Sequence, residues 1–277
     1  MKFRWPHSYF KKHKRLPYLL IILIPALVYF VNQGHRYYEG RQVLRSLRAI
    51  HTPGDWYRYG ADRNIREAQY NLALLYHRGF TVPQDDAEAA RWLRRASDQD
   101  LALAQNELGT YYATGIGVPR DMTEAARLYT LAAAQGQLQS MNYLGELLLA
   151  GNGVTQDENA AMKWFEKAAM QGFIPAQINL ARIYEQGHGV PSDLALSYAW
   201  ISVADYSTDA TPYQRPIDEI SRRLMSPMDE ATRLRARGMA KLYISQYGQR
   251  TRDLFMNILR QPASPAGANV IKPSQRP

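Results

Sequence analysis

Tyr112-Ala113-Thr114-Gly115-Ile116-Gly117-Val118-Pro119-Arg120-Asp121 carries a Gly-x-Gly core that suits two different jobs. A phosphate-cradling loop opens this way, and so does a tight turn between helices. The nucleotide loop needs a strand in front, a third glycine at fixed spacing, and a single occurrence. Here the stretch recurs. Gly79, Gly115, Gly151 and Gly187 stand 36 residues apart, and Gly117, Gly153 and Gly189 follow two places on. Val82, Val118, Val154 and Val190 come next, then Asp85, Asp121, Asp157 and Asp193. A fixed interval assigns the glycines to architecture and sets nucleotide binding aside.

The same register holds on both sides of the turn. Ala68, Ala104, Ser140 and Ala176 begin each unit, followed by Leu72, Leu108, Leu144 and Leu180, then by Ala73, Gly109, Gly145 and Ala181. Tyr76, Tyr112, Leu148 and Tyr184 precede the glycines; Trp92, Leu128, Trp164 and Trp200 follow the aspartates, with Ala96, Ala132, Ala168 and Ala204 four places later. Small and apolar residues at i, i+4, i+5 and i+8 predict a first helix packed along one stripe. A glycine in the left-handed conformation ends it, and the aspartate accepts from the free N–H groups of a second helix. No such hairpin buries its stripe alone, so successive units must stack.

The pattern A-x3-L-[GA]-x2-Y-x2-G-x-G-V-x2-D, then A-x2-W-x3-A-A, resembles the Sel1-like repeat family, relatives of the tetratricopeptide repeats. The expected fold is all-α: an α/α solenoid of four 36-residue helix-pair repeats over 68–210, C-terminal capping helices over 211–260, and one preceding transmembrane helix. Thr81 in place of the second glycine, Leu148 in place of tyrosine, and Asp205-Tyr206 where glycine is usual depart from the pattern. Ser226 as N-cap, Pro227 at the first helical position and Asp229 predict the start of a closing helix. Residues 261–277, rich in Pro and small residues, predict a disordered tail.

The N-terminal segment is of another kind. Leu16–Val31 carries no charge, and its extension to Gly34 gives 19 residues, about 28 Å of helix against a hydrocarbon core of about 30 Å. No small-x-small cleavage pattern follows the apolar run, which argues against a removed signal peptide. Six Lys/Arg precede it and four follow closely, favouring a cytoplasmic N-terminus over 1–15, a membrane helix over 16–34 and a linker over 35–67. Within the linker, Val43, Leu44, Leu47 and Ile50 alternate with Arg41, Arg45 and Arg48 as a short basic amphipathic helix would. The expected location is a bacterial inner membrane, single-pass, with the repeats in the periplasm.

The formal charge of +9 is unevenly spread. Residues 1–60 hold 11 basic and 2 acidic groups, residues 61–214 hold 11 and 18, and residues 215–277 hold 12 and 5. An acidic repeat array is a poor nucleic-acid surface. With no cysteine, thiolate metal sites and thiol nucleophiles are excluded. The six histidines show no H-x3-H or H-E-x2-H spacing, and no G-x-S-x-G elbow is present. His77 and His188 read as residues near helix C-termini, and Asp85-Asp86 and Asp157-Glu158 as helix caps. Neither an enzyme, a cofactor, a metal nor a small-molecule substrate is expected.

On the first helices, positions 2, 3, 6 and 10 after the starting residue point opposite the packed stripe. They include Tyr70, Asn71, Leu74, Asn106, Glu107, Thr110, Asn142, Tyr143, Glu146, Ile178, Asn179 and Arg182, expected to line a concave surface that grasps a protein partner. The expected function is a protein–protein interaction scaffold. The family resemblance implies adaptor roles in envelope complexes, and for some members immunity against phospholipase effectors of type VI secretion. Two readings stand beside it: an envelope enzyme, and a membrane-surface binder acting through Arg41 to Arg48 and the basic terminal region.

Overall fold

The computed structural model describes residues 52–206 and 213–260, and every element in them is helical. Contacts divide the chain into Met1–Asp55 and Trp56–Pro277. The membrane segment 16–34, the amphipathic run Val43–Ile50 and the tail 261–277 lie outside the described residues. No helix among the described residues is long and apolar enough to cross a membrane.

A short helix α1 (Pro53–Ala61) precedes four hairpins: α2 (Arg66–Arg78) with α3 (Asp86–Ser97), α4 (Ala102–Thr114) with α5 (Met122–Ala134), α6 (Leu138–Ala150) with α7 (Glu158–Ala169), and α8 (Ile174–Gln186) with α9 (Leu194–Tyr206). Each first helix ends at its glycine in the left-handed region, with φ of 64°, 77°, 66° and 80°. Asp85, Asp121, Asp157 and Asp193 each accept from one or two N–H groups at the start of the second helix, at 2.8–3.1 Å. The same aspartates donate their own N–H back to the carbonyl of Tyr76, Tyr112, Leu148 or Tyr184, closing each hairpin. The second glycine serves the stacking. A Cβ at Gly117 would lie 2.1 Å from the Asp86 carbonyl oxygen, and one at Gly153 2.3 Å from that of Met122, so each turn rests on the preceding unit's second helix.

A second turn, between units, repeats with the same period. Asn64, Asp100, Gly136 and Gly172 all have positive φ, of 62°, 56°, 91° and 91°. Asn and Asp are the side chains that tolerate this region best. Helix α1 belongs to the same series: Trp56, Arg58 and Asn64 stand 36 residues before Trp92, Arg94 and Asp100. The Arg58 guanidinium donates to the Tyr76 hydroxyl as that of Arg94 does to Tyr112. It thus takes the register of a second helix, in a stretch read from sequence only as linker.

At the other end α10 (Gln214–Met225), α11 (Glu230–Tyr243), a π-helical turn (Ile244–Gly248) and α12 (Gln249–Arg260) close the array. Tyr243 and Tyr247, four residues apart and so on one side of this segment, both meet Trp200, with ring centroids 5.2 and 5.4 Å away. The expected cap at Ser226 is corrected: Ser226 is helical at the end of α10, and Asp229, extended, caps α11 by accepting from the Thr232 N–H at 2.8 Å. The carboxylate wins because it sits where the chain is extended, one residue before the new helix, and so faces the unsatisfied N–H groups.

Candidate functional site

The first helices α2, α4, α6 and α8 form one face of the array, and the twelve residues expected to line it divide into two sets. Tyr70, Asn106, Asn142 and Ile178, at the second position of each unit, are 2–5% exposed, and Asn71 and Leu74 are buried too. This corrects the expectation of an open surface at those six positions. A first helix in the stack is covered by its own partner and by the preceding unit's second helix, with side chains of neighbouring first helices reaching across, which leaves a narrower open strip than a single packed stripe implies. Leu74 and Ile178 consequently join the apolar core. Glu107, Thr110, Tyr143 and Asn179 are half-buried, and Glu146 and Arg182 are exposed.

Polar side chains cross between units along this face. Ser140 Oγ donates to Asn106 Oδ1 at 2.7 Å in the interior. Asn179 Nδ2 donates to Asn142 Oδ1 and Glu146 Oε1 at 3.0 and 3.1 Å, and Asn142 Nδ2 donates to the same Glu146 oxygen at 2.8 Å. Thr110 Oγ1 and the Tyr129 hydroxyl share a hydrogen bond of 3.1 Å, and the Tyr129 ring lies 5.1 Å from that of Tyr143. The structure therefore joins Asn142, Glu146 and Asn179 in one network and Thr110 with Tyr143 through Tyr129. Arg182 makes no hydrogen bond or ion pair among the described residues.

Glu107 stands apart from these networks. It lies within electrostatic reach of Tyr70, Tyr111 and Tyr129, each 2–4% exposed. Burial raises its carboxyl above the usual range, against the opposing pull of His77 and Arg78. Burial likewise pushes the Tyr129 hydroxyl up to about 12. Among the described residues Glu107 accepts no hydrogen bond and forms no ion pair. One unit earlier at the same register, Asn71 Oδ1 is buried without a partner. A partly desolvated carboxylate that accepts no hydrogen bond is costly, and His77 and Arg78 offset only part of that cost.

Sequence reasoning missed Tyr111, Tyr129 and Arg78, and missed a glutamine series. Gln99 Nε2 donates to Gln69 Oε1, and Gln135 Nε2 to Gln105 Oε1, each at 2.7 Å. The signal was available: Gln69, Gln105 and Gln177 share one register, with Met141 the exception. Where Met141 removes the acceptor, Gln171 turns back to the Lys167 carbonyl. His77 and His188 are engaged as well, with Asp86 at 2.6 Å and Glu158 at 3.1 Å. No group of three or more His, Asp or Glu able to hold a metal occurs among the described residues.

The sequence matches the Sel1 repeat family at residues 66–101, 102–137, 138–173 and 174–204, half of the chain. It belongs to the Sel1 repeat family. No curated protein matches it. Among solved structures, the Sel1 array is similar to c5321, a protective antigen of uropathogenic Escherichia coli displaying an SLR fold, with 29% identity and a TM-score of 0.65. That likeness covers 76% of this chain and 44% of the antigen, so the chain spans under half of its length. A Sel1 repeat protein from Oxalobacter formigenes is 30% identical with a TM-score of 0.56, covering 69% of this chain and 79% of the other. The immunity protein Pa5087 of Pseudomonas aeruginosa is 22% identical over 74% of this chain and 77% of its own, with a TM-score of 0.37. A likeness that low bears on neither function nor partner.

Proposed function

We propose that this Sel1 repeat protein is a non-enzymatic interaction scaffold whose first-helix face receives a polypeptide, with Glu107 accepting a Lys, Arg or main-chain N–H from it. The carrying observation is the desolvated Glu107 carboxylate without an internal donor beside Tyr70, Tyr111 and Tyr129. Half-buried Glu107, Thr110 and Tyr143 border this aromatic core and are the groups on this stretch of the face that a partner reaches. Exposed Glu146 and half-buried Asn179, farther along, extend this polar row for an extended chain.

Photo-crosslinking tests it. A photoreactive residue at Thr110 or Tyr143 is expected to trap a polypeptide that one at Arg127, exposed on a second helix, does not, and Glu107→Lys is expected to abolish the adduct. Equal adducts from both faces, or adducts unaffected by Glu107→Lys, would overturn the reading.

We further infer that residues 16–34 tether the chain in a bacterial inner membrane with the repeats in the periplasm, on the strength of the uncharged run and the ten flanking Lys/Arg. Alkaline phosphatase fused after Arg260 should be active in a bacterial host; a dark phosphatase fusion with an active cytosolic reporter at the same point would reverse the orientation.

A further inference from the structure

The two most exposed large apolar side chains among the described residues are Leu234 and Leu242, at 73% and 59%, and both lie on α11. At 100° per residue they bracket Gly238 on one outward strip, with Lys241 about 20° and Arg237 about 60° beyond Leu234 at its edge. The strip is open: a Cβ at Gly238 would meet nothing within 4 Å. The opposite side of the helix is spoken for, since Ala236 and Ala240 are buried against the array. The cations of α11 differ in their partners. Arg235 pairs with Asp193 at 2.6 Å and Arg233 donates to the Met225 carbonyl, whereas Arg237 and Lys241 have no hydrogen bond or ion pair among the described residues.

Charge separates along the chain too. Residues 66–204 hold 10 basic and 15 acidic groups, net −5, and residues 213–260 hold 10 and 5, net +5. The basic excess thus sits in the closing helices, where the exposed leucines are. A protein partner would be served by a broad apolar patch with shape to it. Two isolated leucines standing proud of a helix, with cations on long aliphatic stems beside them, suit a planar anionic interface. There the apolar tips enter the acyl boundary while the cations stay among the headgroups.

We propose that the outward strip of α11 seats on an anionic phospholipid surface through Leu234, Leu242, Arg237 and Lys241. This is independent of the role of Glu107. Because the chain has no cysteine, Leu234→Cys provides a single site for an environment-sensitive fluorophore in the full-length protein, reconstituted in nanodiscs of phosphatidylcholine alone or mixed with phosphatidylglycerol. The label is expected to shift to the blue, and to be quenched by spin-labelled lipid, only in the anionic discs. Adding R237E and K241E should weaken the effect about tenfold, and the same label at Leu131, on α5, should not respond. All these positions face solvent, so an unchanged melting curve verifies that the variants fold. No shift in anionic discs would overturn the proposal. So would a shift in lipid-free detergent that grows with protein concentration, which would assign the strip to a second copy of the chain.

Discussion

Gly145 and Phe165 show how one residue choice dictates another across a hairpin. A Cβ on Gly145 would lie 2.7 Å from the Phe165 ring, and one on Gly109 2.8 Å from that of Tyr129. In the first and fourth units the same two positions hold Ala73 with Leu93 and Ala181 with Ile201, the extra methyl facing a smaller partner. Gly145→Ala should therefore cost about 1–3 kcal/mol in urea unfolding, and adding Phe165→Leu should recover part of it; strictly additive effects would contradict the coupling. Thr81, exposed with φ of 67°, is a β-branched residue in a conformation that favours glycine. Thr81→Gly is expected to stabilise by about 1 kcal/mol, read as a raised melting temperature. Glu107 supplies a pH-dependent prediction. Its carboxyl is raised in the folded state, so its contribution is fully favourable below the unfolded value of about 4.3 and is lost as pH rises through the folded value. Glu107→Gln should thus stabilise at neutral pH, by about 1 kcal/mol, with the gain vanishing in acid. A gain that persists in acid would show that charge is not its source.

The unit of structure is the hairpin, and the two sides of its turn are held by different chemistry. Glycine at the first helix's end and aspartate at the second's start are both local requirements of the backbone, which is why a period of 36 residues exposes them. Asp121 accepts from the N–H groups of both Thr123 and Glu124 at 3.0 Å. Asp121→Ala should cost about 1 kcal/mol, with hydrogen exchange accelerating first at the start of α5. The Ser226 cap failed at this scale: Ser-Pro followed by Asp and Glu fits a helix start at either Ser226 or Asp229, and the chain path between α10 and α11 chose the second.

Across the molecule, stability is a sum over neighbouring units, and the closing helices stand in for the neighbour the fourth unit lacks. Fully buried Thr251 on α12 accepts from Gln177 Nε2 at 2.8 Å, beside Gly172 of the preceding turn. Thr251→Val removes that acceptor and should cost about 1–2 kcal/mol. Lost hydrogen-exchange protection should be confined to α8 and α12 and leave α2 unchanged; uniform loss would indicate one cooperative unit. Period, caps, turns and the family were legible from the chain alone because they are local and repeat. The register of Trp56 with Trp92 was legible in principle, yet the sequence before it lacks the first-helix pattern and the stretch passes for linker. Six of the twelve face residues and the isolation of Glu107 were not legible. How much of a helix stays open depends on what the flanking units cover, and whether a carboxylate finds a donor depends on side chains brought in from other turns and units. The sequence by itself determined the hairpin and its repetition, through backbone demands met within a few residues. Only the tertiary structure decided which polar groups the stack buries in pairs and which acceptor it leaves unmatched, because desolvation is a property of the packed neighbours.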